Sequence, residues 1–250
     1  MLGKLFKHEF SDLFRKTIIF FSVVIGLSLL VFLFGELGEK YWFFTLLNSI
    51  FIVGYVFSIM GILLYSVFYP VARFYKSMLK DEGYLTHTLP VTTGQLLFTK
   101  LTTAFVLFIS SFVVAVGSLV LTNTIGLEIF KDIIHSIHRN HFIAYMYVVF
   151  YLIAYYYGML MLFITALVLG HSRPTKKGLN SIFAGLIIYG IQQVLGTISV
   201  FILFLTIDIN NPESFQPMHV LLSSMIIYVV VVISEVIVSY NFLKKKLNLE

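Results

Sequence analysis

One carboxylic acid stands well inside a long apolar run of this sequence. Glu235 lies in the last such run, nine residues before Lys244. A buried charge in lipid costs several kcal/mol, so we expect Glu235 to be protonated, paired or in contact with water. Two interpretations stay open, a direct part in handling a substrate or a proton, and a structural hydrogen bond.

Uncharged polar side chains interrupt two other apolar runs. Tyr147, Tyr151 and Tyr155 share one helix face at four-residue spacing, and Gln192 and Gln193 lie near the middle of the next run. Hydroxyl and amide groups in lipid need hydrogen-bond partners within the protein. These residues therefore either join neighbouring helices or line a pathway for a substrate with apolar and polar parts.

Several kinds of site are disfavoured by the residue types present. There is no cysteine, hence no thiolate ligand, thiol nucleophile or disulfide. His8-Glu9 resembles the start of a zinc-protease HExxH motif, but Asp12 stands where the second histidine is required. No GxxxxGK[ST] phosphate-binding loop occurs, so any ATP would bind to another polypeptide.

Three histidines recur at every third position: His135, His138 and His141. No carboxylate completes a metal site beside them, which favours histidines at a membrane surface. Whether they bind anything stays open. We therefore expect no metal and no covalent chemistry on this chain.

The composition identifies lipid as the solvent. Of 250 residues, 59% are hydrophobic and 12% are charged, with a mean hydropathy of +0.95. A soluble domain carries about 25% charged residues. Six continuous apolar runs are each long enough for a membrane-spanning helix, approximately 17–35, 42–71, 101–122, 142–170, 181–207 and 218–243. The expected fold is an all-α membrane protein with six transmembrane helices.

The basic residues predict how these spans are oriented. All but three of the 17 lysine and arginine residues fall on one side of the six spans, the exceptions being Lys40, Lys131 and Arg139. Since positive charge stays in the cytoplasm, both termini are predicted to be cytoplasmic. The net charge of +5 is therefore a topology signal, and no nucleic-acid partner is expected.

Two amphipathic stretches flank the spans. Residues 1–16 place leucine and phenylalanine on one face and charged residues on the other, which predicts an interfacial helix on the cytoplasmic side. Such a helix is a membrane anchor or a contact for a cytoplasmic partner. Residues 125–140 show the same pattern and predict a short helix on the outer surface.

The longest polar interval between two spans covers residues 73–100, RFYKSMLKDEGYLTHTLPVTTGQLLFTK. The second span is expected to continue as a helix past the lipid and to end at Gly83, in the left-handed conformation typical of that position. Thr92 and Gln95 form a capping-box pattern that starts the third span. Apolar side chains lie between these helices: Tyr84, Leu85 and Leu89. They favour a docking element over a plain solvated loop, the alternative.

This interval also carries a family resemblance. The run KDEGYLTHTLPVTTGQLLFTKL resembles the first cytoplasmic loop of type-2 ABC exporter permeases from Gram-positive bacteria. The start MLGKLFKHEF and the ending LKKKLNLE are similar to the termini of that family, and length and span count agree throughout. The resemblance implies that the loop forms a coupling helix held in a groove of an ATP-hydrolysing subunit. Its coupling positions would be Asp81, Glu82, Gly83, Tyr84, Leu85, Leu89 and Pro90.

The resemblance implies an assembly in a bacterial cytoplasmic membrane. Two permease copies, identical or paired with a sister permease, would bind two soluble ABC ATPase subunits. ATP and Mg would be held by those partners, with no cofactor on this chain. The interior rich in tyrosine and phenylalanine favours export of an amphipathic peptide or a hydrophobic antimicrobial.

Two other classes of function remain alternatives. A proton-coupled secondary transporter using Glu235 would work with a pH gradient alone and without any ATPase. A non-transporting membrane scaffold or immunity protein would form a complex whose ATPase rate does not change with any candidate substrate.

Overall fold

The computed structural model describes residues 2–80, 83, 91–122, 142–173, 175–206 and 217–245. These ranges contain six long α-helices, α1 (Leu2–Gly38), α2 (Trp42–Phe74), α3 (Thr93–Leu121), α4 (Phe142–His171), α5 (Lys177–Thr206) and α6 (Pro217–Lys245). A π-helical segment, Tyr75–Leu79, continues α2. All six α-helices are long and apolar enough to cross a membrane. The predicted all-α, six-span architecture is thus confirmed.

The helix ends agree with the sequence signals at the end of α2 and the start of α3. They differ from them at the N-terminal part of α1 and at Gly83. As predicted, α2 continues past the apolar run, and α3 begins immediately after Thr92. Residues 2–16 form the first part of α1 without a break, because no glycine or proline interrupts the chain between Gly3 and Gly26. Whether that part lies along a membrane surface stays a prediction.

The prediction of a left-handed Gly83 was wrong. Gly83 is helical, its N–H donates to the Lys80 carbonyl at 2.7 Å, and no described glycine has a positive φ. The Lys80 carbonyl therefore gains a backbone hydrogen-bond partner without a left-handed residue at Gly83.

A short connection joins α1 to α2. The N–H groups of Lys40 and Tyr41 both donate to the Leu37 carbonyl, at 3.1 and 3.2 Å. The Thr45 hydroxyl donates to the Gly38 carbonyl at 3.1 Å. These bonds satisfy carbonyl groups at the end of α1 that have no partner within the helix.

The chain divides into two compact units. Of the described residues, the first unit contains 2–70 and 95–122, and the second contains 71–80, 83, 91–94, 142–173, 175–206 and 217–245. The division crosses α2 after Pro70 and α3 after Gly94. The beginning of the polar interval therefore belongs to the same unit as α4, α5 and α6, and its π-helical segment packs against α4.

The first unit has an apolar core and two buried polar links. Val24 and Val31 of α1 pack with Tyr55 and Ile62 of α2, and the Tyr55 hydroxyl lies 2.8 Å from the Ser118 hydroxyl of α3.

The second link joins the N-terminal part of α1 to the start of α3. The Lys100 ammonium donates to Glu9 Oε1 at 2.8 Å, and the two side chains are only 7% and 10% exposed. This ion pair is withdrawn from solvent, and its two charges compensate each other.

The second unit is arranged around α4. This helix packs against both α5 and α6, α5 contacts α6, and the π-helical segment packs against α4. Phe74 and Met78 are almost completely buried there, at 1% and 0% exposure. The ring of Tyr75 lies 5.3 Å from that of His171, the last residue of α4.

A close approach joins α4 to α5. A Cβ atom on Gly170 would overlap the backbone and the hydroxyl of Ser181. Only glycine, which lacks that atom, allows the two helices to approach so closely here.

Candidate functional site

A cavity of about 480 Å³ lies among α4, α5 and α6 in the second unit. Its wall is mostly apolar, with residues such as Met159, Phe163 and Leu186. Polar groups line it at six positions: Tyr155, Ser181, Tyr189, Gln192, Gln193 and Tyr228. A mostly apolar cavity with a few placed polar groups is the usual form of a small-molecule site.

Glu235 is joined to this cavity through Gln192. The Gln192 amide Nε2 donates to Glu235 Oε1 at 2.8 Å, linking α5 to α6. Glu235 is only 5% exposed, and its second oxygen, Oε2, is buried with no hydrogen-bond partner among the described residues. A buried oxygen that lacks a partner can accept a hydrogen bond from a bound molecule or a water.

Hydroxyl groups form a second link beside Glu235. The hydroxyls of Thr165 and Ser239 lie 2.9 Å apart, and the Thr165 hydroxyl also approaches the Glu235 carbonyl at 3.4 Å. All three residues are buried. The faces of α4 and α6 are thus held together by polar contacts next to the acid.

The predicted tyrosine face is partly brought to the cavity. The rings of Tyr151 and Tyr155 stack with centroids 6.4 Å apart, and Tyr228 of α6 meets them edge-on at 6.1 and 5.8 Å. Tyr155 lines the cavity. Tyr147 is half-buried and lies outside this ring cluster.

Only some of the predicted pathway residues therefore line the same cavity. Tyr155, Gln192 and Gln193 face one cavity, Glu235 reaches it through Gln192, and Tyr151 reaches it through Tyr155. Sequence reasoning missed Tyr189 and Tyr228. Each places a hydroxyl group inside an apolar run, so the sequence did mark both as unusual. Which runs share a cavity depends on helix packing and is not encoded in any one run.

The predicted coupling residues lie largely outside the described residues. Of that set only Gly83, which is buried, is described. The remaining members stay a prediction: Asp81, Glu82, Tyr84, Leu85, Leu89 and Pro90. The outer stretch 125–140 and the histidines His135, His138 and His141 are likewise outside the described residues.

A second cavity, of about 560 Å³, lies within the first unit. It is also mostly apolar, and Glu36, Asn48, Tyr55 and Thr122 contribute its polar groups. The Oδ1 atom of Asn48 is buried without a hydrogen-bond partner among the described residues. We place the candidate site in the second unit because several polar side chains there are linked to one another across three helices.

The arrangement defines the class of protein. It is a multi-span helical membrane protein whose second unit holds an amphipathic cavity beside a buried acid. Among the described residues, no group of three or more His, Cys, Asp or Glu side chains could hold a metal ion. Comparison with protein-family models, with curated proteins and with solved structures finds no match.

Proposed function

We propose that the chain is the membrane-spanning permease subunit of an ATP-driven ABC exporter of the type-2 kind. The observation that carries this proposal is that residues 71–79, which precede the coupling-like stretch, belong to the second unit and have five of their nine side chains buried. Phe74 and Met78 are packed there, and Tyr75 contacts His171 at the end of α4. The segment that leads into the stretch resembling a coupling loop thus packs against a helix that also forms the cavity wall.

This connection supports a mechanism of energy transfer. Movement of the coupling stretch by a partner ATPase would displace the π-helical segment and α4 together. Because packed helices switch between discrete arrangements rather than deform continuously, the cavity would change its access as a unit. ATP and Mg would bind to the two ATPase subunits, and a second permease copy would complete the pathway.

The cavity supports an amphipathic substrate. Apolar side chains cover most of its wall, while tyrosine hydroxyls and two glutamine amides supply scattered hydrogen-bond partners. A compact ion would require several convergent carboxylate or carbonyl groups. An amphipathic peptide or a hydrophobic antimicrobial matches both properties of the wall.

A pull-down tests the proposal. The tagged full-length chain, extracted from its native membrane in mild detergent, is expected to retain a soluble ABC ATPase in stoichiometric amount. Leu85→Asp with Leu89→Asp should release that ATPase, because burying carboxylates against an apolar groove costs several kcal/mol. The matched control is Thr175→Asp, at an exposed position of another connection that is predicted to be cytoplasmic.

The outcomes separate the claims. If no ATPase is retained by the wild-type chain, the exporter proposal is wrong. If the ATPase is retained equally by the double variant and by the control, only the coupling positions are wrong. If the ATPase is retained but its rate does not change with a panel of amphipathic peptides and drugs, the scaffold or immunity function is favoured instead.

Glu235 supports a second candidate, a proton-coupled secondary transporter. Its buried Oε2 without a partner could accept and release a proton. Glu235→Gln distinguishes the candidates, because the amide keeps the size and the contact with Gln192 but cannot titrate. In an ATP-driven exporter this variant should keep transport within about tenfold of wild type, the effect of one altered hydrogen bond. Complete loss of transport driven by a pH gradient in proteoliposomes would establish the proton-coupled function instead.

A further inference from the structure

A separate cavity of about 590 Å³ opens where α4 ends and α5 begins. Ser172, Arg173 and Asn180 line one end of it. Apolar side chains of α5 and α6 line the remainder, including Phe183, Ile187 and Phe242. The cavity therefore has a polar end and an apolar end, and it shares no lining residue with the candidate substrate cavity.

The polar end of this cavity carries a positive charge. Arg173 is exposed and forms no hydrogen bond or ion pair with any residue that the structure describes. Lys176 and Lys177 follow it, and the sequence contains no acidic residue between Asp132 and Asp208. A guanidinium group in such surroundings is suited to bind a phosphate through paired hydrogen bonds.

The apolar end has the depth and the access that an acyl chain requires. Asn180 and Ile188 lie at opposite ends of the α5 wall, and eight residues of helix rise by about 12 Å. Phe183 and Ile187 are 59% and 63% exposed, so the wall is open to the surrounding lipid. A molecule could enter from the bilayer with its charged group at the helix ends.

We propose that this cavity binds an anionic phospholipid of the inner leaflet, with the headgroup phosphate on Arg173 and an acyl chain along Phe183, Ile187 and Phe242. Charge complementarity at the polar end selects an anionic headgroup over a zwitterionic one. Basic pockets between transmembrane helices on the cytoplasmic side are suited to such lipids. The proposal does not depend on the transported substrate or on the energy source.

Native mass spectrometry of the full-length chain in detergent tests it. Phosphatidylglycerol and phosphatidylcholine with identical acyl chains are titrated against the wild type, Arg173→Gln and Arg15→Gln. Arg15 is a matched control, being an exposed arginine at another predicted cytoplasmic position that does not line the cavity. We expect Arg173→Gln to weaken phosphatidylglycerol binding roughly tenfold and Arg15→Gln to leave it unchanged.

A second variant tests the acyl-chain half of the proposal. Ala184→Phe places a ring in the apolar part of the cavity and leaves Arg173 intact. It should weaken phosphatidylglycerol binding while the protein elutes as the wild type does in size-exclusion chromatography. Equal binding by the Arg173 and Arg15 variants would overturn the proposal. Displacement of the lipid by millimolar glycerol phosphate would also overturn it, since the site would then bind a soluble anion.

Discussion

Polar side chains between the helices are the residues whose placement matters most in this chain. Lys100 with Glu9, Tyr55 with Ser118, and Gln192 with Glu235 each join two different helices. In lipid, apolar surface gives little preference for one helix pairing over another, because the hydrocarbon is as apolar as the side chains. Buried polar contacts therefore contribute strongly to selecting the pairing.

The Glu9–Lys100 pair gives a prediction at this scale. Lys100→Met should destabilise the protein by about 3–5 kcal/mol, because it leaves the buried Glu9 carboxylate without its charge partner. The measurement is unfolding of the purified chain in detergent followed by circular dichroism. Adding Glu9→Gln to Lys100→Met should recover much of the loss, whereas Lys7→Met, at an exposed position, serves as the control. Strictly additive effects of the two changes would contradict a direct ion pair.

At the scale of elements, α4 is the helix on which the second unit depends. In the most apolar 18 residues of its span, 56% of the residues are buried, against 6–28% in the other five spans. It contacts α5, α6 and the π-helical segment. A change in α4 therefore reaches both the cavity wall and the beginning of the coupling stretch.

The contact between α4 and α5 can be tested with a pair of glycines. Gly170→Ala should destabilise the protein by about 1–3 kcal/mol, because the added methyl group overlaps Ser181 and the helices must move apart. Gly190→Ala is the matched control, since a Cβ there meets no atom within 4 Å. The control should be neutral or more stable by up to about 1 kcal/mol, from helix propensity. Thermal unfolding in detergent compares them, and equal effects of the two variants would contradict the close approach.

At the scale of the whole molecule, the distribution of apolar surface and basic charge describes a chain that crosses the membrane repeatedly. Large apolar side chains such as Trp42, Phe57 and Phe201 are 74%, 69% and 63% exposed. Such side chains are suited to contact with lipid rather than water. The lysine and arginine residues alone predict how the spans are oriented.

Orientation can be measured directly because the natural chain has no cysteine. Glu39→Cys and Thr175→Cys place single thiols at exposed positions in the α1–α2 and α4–α5 connections. A membrane-impermeant maleimide should label the first in intact protoplasts and the second only after permeabilisation. The reverse pattern would show that the termini face outward.

Much of the fold was predictable from the sequence. The six spans follow from the length of the apolar runs, since a helix must cross about 30 Å of hydrocarbon. The start of α3 after Thr92 and the extension of α2 past its apolar run were predicted from a capping pattern and from charge. The continuous α1 was not predicted, because an amphipathic pattern indicates a face but does not by itself end a helix.

The site required the tertiary structure. The sequence alone identified Glu235, Gln192, Gln193 and Tyr155 as polar groups in apolar runs, because such groups are costly in lipid wherever they lie. That Gln192 donates to Glu235, and that Tyr189 and Tyr228 share their cavity, was decided only by how α4, α5 and α6 pack. Glu9 and Lys100 are 91 residues apart, and their ion pair has no local signature. Hydropathy and periodicity describe one helix at a time, whereas these contacts depend on which helices meet and at what rotation.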